Sequence, residues 1–388
     1  MSSIRFMTGA VALGLSALAI SATQPAIAAD KPQPVNIRFA SDIVPPPHPA
    51  AIAQVYFGEL LEKAIPGSKV RIYPAGSLYK IPEAVEAMTD GNLEFTWGQF
   101  GKTSQIDPYM AAVNGPMLLT TPGAMNQLEK FSTFKALVKR FKDVHGIKIF
   151  GAGHLSMYIG VGGGVPLREV SAFEGKKLRS MGPAENVALE KWGASAVTMA
   201  FGDVPPALET KVIDGLATSL SGFLATKDQA PYFTVAGING ISGDYYWIGA
   251  SYAWWNKLNK PTQDIIERLM VEKVIPFEKK ANWCNDKRVL DQFKTEDPSK
   301  PGIFVLSPDK AEAFATKLGD ATADWVKTKT PKDADKLVDS FVKQARAASK
   351  AHPIGSDPLE KTDCKEIQPW FDRYAKKTEP KKEPAKKK

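Results

Sequence analysis

The first quarter of the chain alternates between two patterns of apolar and polar residues. Short runs rich in β-branched and aromatic residues indicate strands, and longer runs with apolar residues three and four apart indicate helices. In the first helical run, Ile52, Val55, Tyr56 and Leu60 form one apolar stripe. The runs come in the order strand, helix, strand, helix, strand, at residues 35–41, 50–65, 69–74, 82–90 and 93–99. This βαβαβ order predicts an α/β fold with a mostly parallel sheet covered by helices.

A second alternating block covers residues 147–255, and the rest of the chain is mainly helical. Residues 157–164 are apolar and then rich in glycine. They suit a segment that crosses between two lobes, because glycine tolerates the dihedral changes that a hinge absorbs. At roughly 150 residues per domain, the length predicts two domains. Apolar residues at helical spacing predict three later helices, at 262–282, 307–328 and 334–351.

The chain begins with the pattern of an export signal. Arg5 is the only charged residue before Asp30, an apolar run covers residues 6–20, and small residues surround a cleavage site at 26–28. A membrane anchor is the alternative, but the run is shorter than the ~20 residues of a membrane span. We therefore expect cleavage of a signal peptide (1–28) near Ala28 and a protein in the periplasm.

The net charge of +8 is concentrated at the two ends of the chain. Arg5 lies in the export signal, and residues 376–388 hold seven Lys and two Glu, which leaves the body near +2. A nucleic-acid surface needs basic residues clustered on a folded face, so we expect no nucleic-acid partner. Residues 376–388 combine Lys and Pro with almost no apolar residue, which predicts a disordered basic tail.

The sequence motifs of common enzyme and cofactor classes are missing. Residues 151–156 read G-A-G-H-L-S, close to a dinucleotide fingerprint, but a strand-like run follows where the fingerprint needs a helix. The chain has no G-x-S-x-G, H-E-x-x-H or P-loop motif, and its four His lack paired metal spacing. We expect no catalytic residue, no cofactor and no metal site. Cys284 and Cys364 either form a disulfide, which export permits, or remain two thiols.

Five short segments carry a family pattern through their order and separation. They are I-R-F-A-S at 37–41, Y-P-A-G-S-L at 73–78, G-N-L-E-F at 91–95, G-K-K-L-R at 175–179 and V-I-D-G at 212–215. Together they resemble the solute-binding proteins of TRAP transporters (tripartite ATP-independent periplasmic, DctP-type). One departure is Tyr79, where the family usually has a glycine after the second segment.

The resemblance implies a two-lobed periplasmic binding protein, type II-like, with hinge strands and a long helix that spans both lobes. The lobe boundaries that follow are an N-terminal lobe at 29–155, completed by parts of 245–330, and a C-terminal lobe at 156–244. The spanning and C-terminal helices would occupy 261–350.

The resemblance also implies a ligand site in the cleft between the lobes. Arg179 matches the arginine that holds the carboxylate of an organic acid, because its planar guanidinium offers two parallel donors. The alternative is a surface arginine at a strand end. Thr218 stands where many members have an asparagine. The other implied positions are Asp42, His48, Trp97, Gln99, Phe201, Tyr245 and Tyr246. For His48 an exposed loop position is the alternative, and for the aromatic residues it is core packing.

The expected ligand follows from what the cleft contains. Some family members have a second arginine upstream of the first, where this chain reads S-M-Y-I at 156–159. One arginine and several aromatic residues predict a monocarboxylate with an apolar or aromatic body. The resemblance implies delivery of this acid to TRAP membrane permease subunits, by a protein that we expect to be a monomer. Two alternatives stay open: a binding protein of the same fold that serves a sensor or another transporter, and a secreted α/β enzyme.

Overall fold

The computed structural model describes residues 31–236 and 245–375. The predicted export signal, the basic tail and residues 237–244 of the predicted C-terminal lobe lie outside these ranges. The strands are β1 (Asn36–Ser41), β2 (Lys69–Tyr73), β3 (Phe95–Gln99), β4 (Ile147–His154), β5 (Ile159–Gly163), β6 (Lys177–Ser180), β7 (Ser195–Thr198), β8 (Gly215–Ser219), β9 (Tyr232–Val235), β10 (Tyr245–Ser251) and β11 (Gly302–Val305).

The helices are α1 (Pro49–Ala64), α2 (Ile81–Thr89), α3 (Phe100–Thr103), α4 (Pro122–Met125), α5 (Ser132–His145), α6 (Pro183–Lys191), α7 (Val204–Glu209), α8 (Leu220–Thr226), α9 (Tyr252–Trp255), α10 (Lys260–Leu269), α11 (Ile275–Phe293), α12 (Pro308–Leu318), α13 (Ala321–Lys329), α14 (Asp335–Ala351) and α15 (Gln368–Ala375). Within the described ranges, every helix is too short or too polar to serve as a membrane span.

The first sheet has the strand order β2-β1-β3-β10-β4. β1 pairs in parallel with β2 and with β3, and α1 and α2 are the crossover helices, as the βαβαβ pattern predicts. β10 is antiparallel to its neighbours β3 and β4, so the sheet is mixed. Because β10 follows β5 to β9 along the chain, the strand that completes the first sheet comes after most strands of the second sheet in the sequence.

The second sheet has the order β11-β9-β5-β8-β6-β7. β6 pairs in parallel with β7 and β8, whereas β5 is antiparallel to β8 and β9. The glycines of β5 allow this strand to pack closely against its neighbours. A β-carbon added to Gly160 would lie 2.2 Å from the carbonyl oxygen of Thr234, so a larger residue would push β5 and β9 apart. The chain passes from the first sheet to the second through residues 155–158.

A long helical segment runs beside both sheets. It consists of α10, a π-helical turn at Met270–Val274 and α11, and it therefore continues well past residue 282, where the sequence pattern predicts its end. The π turn has a local cause: Pro276 lacks an N–H, and its ring would clash with the carbonyl of Glu272 in a regular α-helix. α11 packs against α1 on the side of the first sheet and against α8 on the side of the second.

The helix predicted at residues 307–328 is two helices. α12 ends at Leu318 and α13 begins at Ala321, because Gly319 has a φ of 54°, a left-handed value that breaks the helix. Apolar residues continue at helical spacing on both sides of this break, which explains why the periodicity alone suggested one helix. Phe314 and Leu318 of α12 pack on the second sheet, whereas Val326 of α13 packs near Ala184 and Val338.

The last helices are joined to α11 by a disulfide between Cys284 and Cys364. Cys284 lies inside α11 and is buried beside Ile367 and Phe371. The aromatic rings of Tyr56, Phe277 and Trp370 pack at the same place and bring α1, α11 and α15 together. The segment after α14 is therefore fixed to the helical side of the molecule.

Polar side chains of α11 hold the segment that connects the two sheets. Glu278 Oε2 accepts a hydrogen bond from the backbone N of His154 (3.1 Å), and Asn282 Nδ2 donates to the backbone oxygen of His154 (2.8 Å). One turn further along, Asp286 Oδ2 accepts from Ser156 Oγ (2.6 Å) and from the backbone N of Met157 (2.6 Å). These residues are spaced four apart on one face of α11, so a single helix face fixes the connecting segment.

Burial changes the titration of these carboxyl groups. Burial raises the pKa of Glu278 to about 8, although the hydrogen bond from the backbone N of His154 favours the ionised form. Burial likewise raises the pKa of Asp286 to about 6. The neighbouring His154 ring is fully buried, and desolvation holds its pKa well below its usual range, with a smaller contribution from Lys279. At neutral pH the Glu278 carboxyl and the His154 ring are therefore both uncharged.

The Glu278→Gln variant should remove one component of the pH dependence of stability. A carboxyl group whose pKa is raised in the folded state stabilises the fold at low pH. This contribution is lost as the pH rises from the unfolded pKa of the group towards its folded pKa. The free energy of unfolding of the wild type, relative to Glu278→Gln, should fall by at most about 1.4 kcal/mol per pH unit between pH 5 and 8. Urea unfolding at several pH values measures this, with the exposed Glu312→Gln as the control. Parallel pH profiles for wild type and Glu278→Gln would contradict the prediction.

Candidate functional site

A cavity lies between the two sheets, where the carboxyl ends of their parallel strands face each other. It encloses about 400 Å³ of space, its opening to solvent included. Pockets at the carboxyl ends of strands are the usual ligand sites of α/β folds. The lining residues are Asp42, Ile43, Val44, His48, Gln99, Lys102, Leu155 and Tyr246 from the first lobe and Arg179, Met181, Phe201, Thr218, Ser219 and Gly222 from the second.

Arg179 forms the charged part of the second lobe's wall. It lies on β6 and is 1% exposed, which excludes a surface arginine at a strand end. Its Nε donates to the backbone oxygen of Met199 (2.9 Å), and an Nη donates to the backbone oxygen of Ala217 (2.9 Å). Backbone carbonyls on two neighbouring segments therefore fix the plane of the guanidinium, while its positive charge remains close to the cavity.

The other residues of this wall are aromatic or small. The ring centroid of Phe201 lies 5.8 Å from the guanidinium carbon of Arg179, within cation–π range. Thr218 lies near the end of β8, and its hydroxyl contacts Gly222 so closely that a β-carbon there would be 1.9 Å from Oγ1. Gly222 thus lets α8 start directly beside the hydroxyl groups of Thr218 and Ser219. The structure brings all three predicted residues of this lobe, Arg179, Phe201 and Thr218, to one cavity.

The first lobe contributes a buried ion pair. Lys102 Nζ lies 2.6 Å from Asp42 Oδ2, and the two side chains are 5% and 7% exposed. Asp42, a predicted cleft residue, directly follows β1. Lys102 was not predicted from the sequence and lies on the short helix α3 directly after β3. The available signal is its position one turn after Gln99, from which a long side chain reaches back over the end of the strand.

His48 and Gln99 complete the polar part of this wall. His48 is buried, and burial lowers the pKa of its ring to about 4, so the ring is neutral and is not the exposed loop histidine of the alternative reading. Its Nδ1 accepts a hydrogen bond from the backbone N of Ala50 (3.2 Å) at the start of α1, which leaves the proton on Nε2. Gln99 ends β3, and its Nε2 lies 4.0 Å from Met181 Sδ of the opposite lobe.

The fold and the cavity agree with a match to a known protein family. The family described as bacterial extracellular solute-binding protein, family 7 (DctP), matches residues 40–328. This chain belongs to that family. The match confirms the resemblance to the DctP-type proteins that the five sequence segments indicate.

Two curated relatives are similar to this chain over more than 60% of its length. The C4-dicarboxylate-binding periplasmic protein DctP of Rhodobacter capsulatus is 26% identical over 268 residues, which are 67% of this chain and 77% of that protein. The sialic acid-binding periplasmic protein SiaP of Vibrio cholerae is 25% identical over 62% of this chain and 73% of that protein.

Solved structures share the fold. A sugar acid binding protein from Advenella mimigardefordensis, in complex with galactonate, superposes with a TM-score of 0.71 at 20% identity, over 81% of this chain and 100% of that one. A TRAP periplasmic solute binding protein from Shewanella oneidensis with bound succinate has a TM-score of 0.68 at 21% identity, over 81% and 99%. The two-lobed α/β architecture predicted from the sequence is thereby confirmed.

Two of the predicted aromatic residues do not line the cavity of this DctP-family protein. Trp97 is 1% exposed and stacks on Phe39 in the core of the first lobe, and Tyr245 is buried beside Trp247 in a second core cluster. Tyr245 lies on the face of β10 opposite to Tyr246, because alternate side chains of a strand point to opposite faces of the sheet. Trp97 shares the face of Tyr246 and Gln99 but lies two residues before the end of β3. Tyr246 does reach the cavity, and its ring meets Trp97 edge-on at 6.3 Å. The expected aromatic wall is therefore reduced to Tyr246 and Phe201 in the described lining.

A second space in the cleft adjoins the cavity. Asp42 and Lys102 line both spaces, and Lys80 and Asp203 also line the second one. Lys80 Nζ lies 3.6 Å from Asp203 Oδ2 and joins the two lobes, although both side chains are more than half exposed, so the pair contributes little stability. In the described part of the chain, no group of three or more His, Cys, Asp or Glu side chains is arranged to hold a metal ion.

Proposed function

We propose that this protein is the extracytoplasmic solute receptor of a TRAP transporter. It is exported to the periplasm with cleavage near Ala28, binds an organic acid between its lobes and delivers it, as a monomer, to the membrane permease subunits. Membership of the solute-binding family supports the receptor role. The relatives named for C4-dicarboxylates and sialic acid, and the fold relatives with galactonate and succinate, support an organic acid as the ligand class.

The observation that carries the proposal is the buried guanidinium of Arg179 at the wall of the interlobe cavity. A guanidinium offers parallel N–H donors in the geometry that a carboxylate accepts, and a carboxylate bound there would bring the opposite charge to the cavity wall. Because the backbone carbonyls of Met199 and Ala217 already orient Arg179, little side-chain entropy is lost when a carboxylate binds.

We further propose that the acid is a monocarboxylate with an apolar or aromatic body. The charged residues in the described lining are Arg179, Lys102 and Asp42, and the last two form an ion pair. The apolar part of the lining is Ile43, Val44, Leu155, Met181, Phe201 and Tyr246. The guanidinium of Arg179 suits one carboxylate, and the apolar side chains suit a body without further charge.

In this proposal, ligand binding closes the two lobes on each other. Arg179 belongs to the second lobe, whereas His48, Gln99 and Tyr246 belong to the first, so a ligand that contacts both sets binds tightly only when the lobes meet. A ligand shifts the equilibrium towards closure only by the difference between its affinities for the two states. Small-angle scattering with and without ligand reports this closure directly.

A thermal-shift panel of carboxylic acids tests the proposed ligand class. Bound ligand stabilises the folded state by RT ln(1 + [L]/Kd), which is about 2.7 kcal/mol at a hundredfold excess over Kd. Monocarboxylates with four to eight carbons, such as butyrate, hexanoate and benzoate, should raise the melting temperature, whereas succinate, malate and fumarate should not. Native mass spectrometry of freshly purified protein should detect a co-purified acid. Shifts caused only by the dicarboxylates would contradict the monocarboxylate assignment while leaving the receptor role intact.

A further inference from the structure

The ion pair between Asp42 and Lys102 lies in the wall of the ligand cavity. Lys102 Nζ and Asp42 Oδ2 are 2.6 Å apart, and both side chains are nearly excluded from solvent. The two residues come from different positions of the first lobe, directly after β1 and on α3 after β3, and they also border the adjoining space of the cleft. A ligand in the cavity therefore lies beside this pair.

The charges of the pair determine what the first lobe can accept. A buried lysine that faced the cavity alone would attract a second carboxylate of the ligand, at the end opposite Arg179. With Asp42 at 2.6 Å, that second carboxylate would meet a fixed negative charge as well as the ammonium group. Like charges in a desolvated interface are strongly unfavourable, and such repulsion is a general means of excluding wrong ligands.

We propose that Asp42 acts as a charge filter, which occupies Lys102 and so restricts the ligand to a single carboxylate. This inference rests on the proposed function, because it assumes that Arg179 binds the first carboxylate. Lys102 is then a specificity-determining residue, and Asp42 suppresses its attraction for a second carboxylate. The competing view is that the pair only stabilises the first lobe.

The Asp42→Asn variant tests the filter. Asparagine keeps the size of the side chain but removes its charge, so Lys102 is no longer neutralised by residue 42. Isothermal titration with two matched pairs of acids, butyrate with succinate and benzoate with terephthalate, compares one carboxylate with two on the same body. We expect Asp42→Asn to bind succinate or terephthalate at least about tenfold more tightly than the wild type does, a gain equal to about 1.4 kcal/mol.

The double variant Asp42→Asn/Lys102→Gln is the matched control, since it replaces the ion pair by two neutral amides. It should lose the gain in dicarboxylate affinity, because the gain comes from Lys102. An Asp42→Asn variant that binds both dicarboxylates no more tightly than the wild type overturns the filter, and so does a double variant with the same gain. Wild-type protein that already prefers dicarboxylates overturns the filter and the proposed monocarboxylate ligand together. Wild-type protein that prefers monocarboxylates, with no gain in dicarboxylate affinity in Asp42→Asn, overturns the filter alone.

Melting curves show whether the Asp42→Asn variant is folded. If it is not, the Lys102→Gln variant provides the second test. It leaves the charge of Asp42 without its lysine beside the cavity, so binding of the monocarboxylate that shifts the wild-type melt should weaken at least about tenfold. An unchanged monocarboxylate affinity in a folded Lys102→Gln variant would overturn the filter.

Discussion

Replacing Arg179 by alanine should weaken binding of the organic acid by about 2–5 kcal/mol, because the ligand carboxylate would be buried without its cationic partner. The same change removes the two hydrogen bonds that Arg179 donates to Met199 and Ala217, so the melting temperature of the variant without ligand must be measured alongside. Isothermal titration with the acid identified by native mass spectrometry gives the affinity.

Two further arginine variants separate a ligand role from a structural one. Arg179→Lys keeps the charge but loses the planar pair of donors, so it should also bind weakly. Arg168 is the matched control: it is also buried and donates to backbone oxygens, including that of Phe233 at 2.6 Å, but it does not line the cavity. Arg168→Lys should affect melting and leave the affinity unchanged. Wild-type affinity in both Arg179 variants would exclude Arg179 as the carboxylate-binding residue.

Removing the disulfide between Cys284 and Cys364 should lower the free energy of unfolding by up to about 4 kcal/mol. The bond closes a loop of 80 residues, and the chain-entropy model assigns this magnitude to such a loop. Ligand affinity should not change, since neither cysteine lines the cavity. Urea unfolding of the Cys284→Ser/Cys364→Ser variant and of the wild type measures the difference.

Wild-type protein treated with a reductant is the control for the side-chain replacement. It loses the cross-link but keeps both sulfur atoms, so its stability should match that of the double serine variant if the cross-link causes the effect. Two free thiols in unfolded, unreduced protein would contradict the disulfide. A double variant that melts like the wild type but loses ligand affinity would contradict a purely stabilising role.

The sequence was sufficient to predict the structure wherever the structure depends on residues that are neighbours along the chain. The βαβαβ run and the end of α2 before Gly91 follow from periodicity and from a glycine with a φ of 74°. The stripe of α1 was only partly predicted, since Ile52 is buried but Val55, Tyr56 and Leu60 are half-buried. Even the candidate site was partly predictable, because Asp42 and Gln99 lie at strand ends, where side chains of parallel strands converge. Of the predicted cleft residues, only Trp97 and Tyr245 do not line the cavity.

The features of the site that the sequence did not predict depend on contacts between segments that are distant along the chain. The register of β3 against β10 pairs Gln99 with Tyr246 at the cavity and Trp97 with Ile248 two residues further into the core. The spanning helix is instead a local case: a π turn accommodates Pro276, and the helix continues to Phe293, past the predicted end at residue 282.

By itself the sequence predicted the order of elements from local periodicity and indicated the family from short motifs, and through that resemblance it suggested Arg179 as the carboxylate-binding residue. Only the tertiary structure decided the charge environment of the site. Lys102 and Asp42 are 60 residues apart and neither carries a motif that implies the other, yet packing brings them to 2.6 Å. Electrostatic energy depends on distance in space and on exclusion of solvent, and neither quantity can be read from separation along the chain.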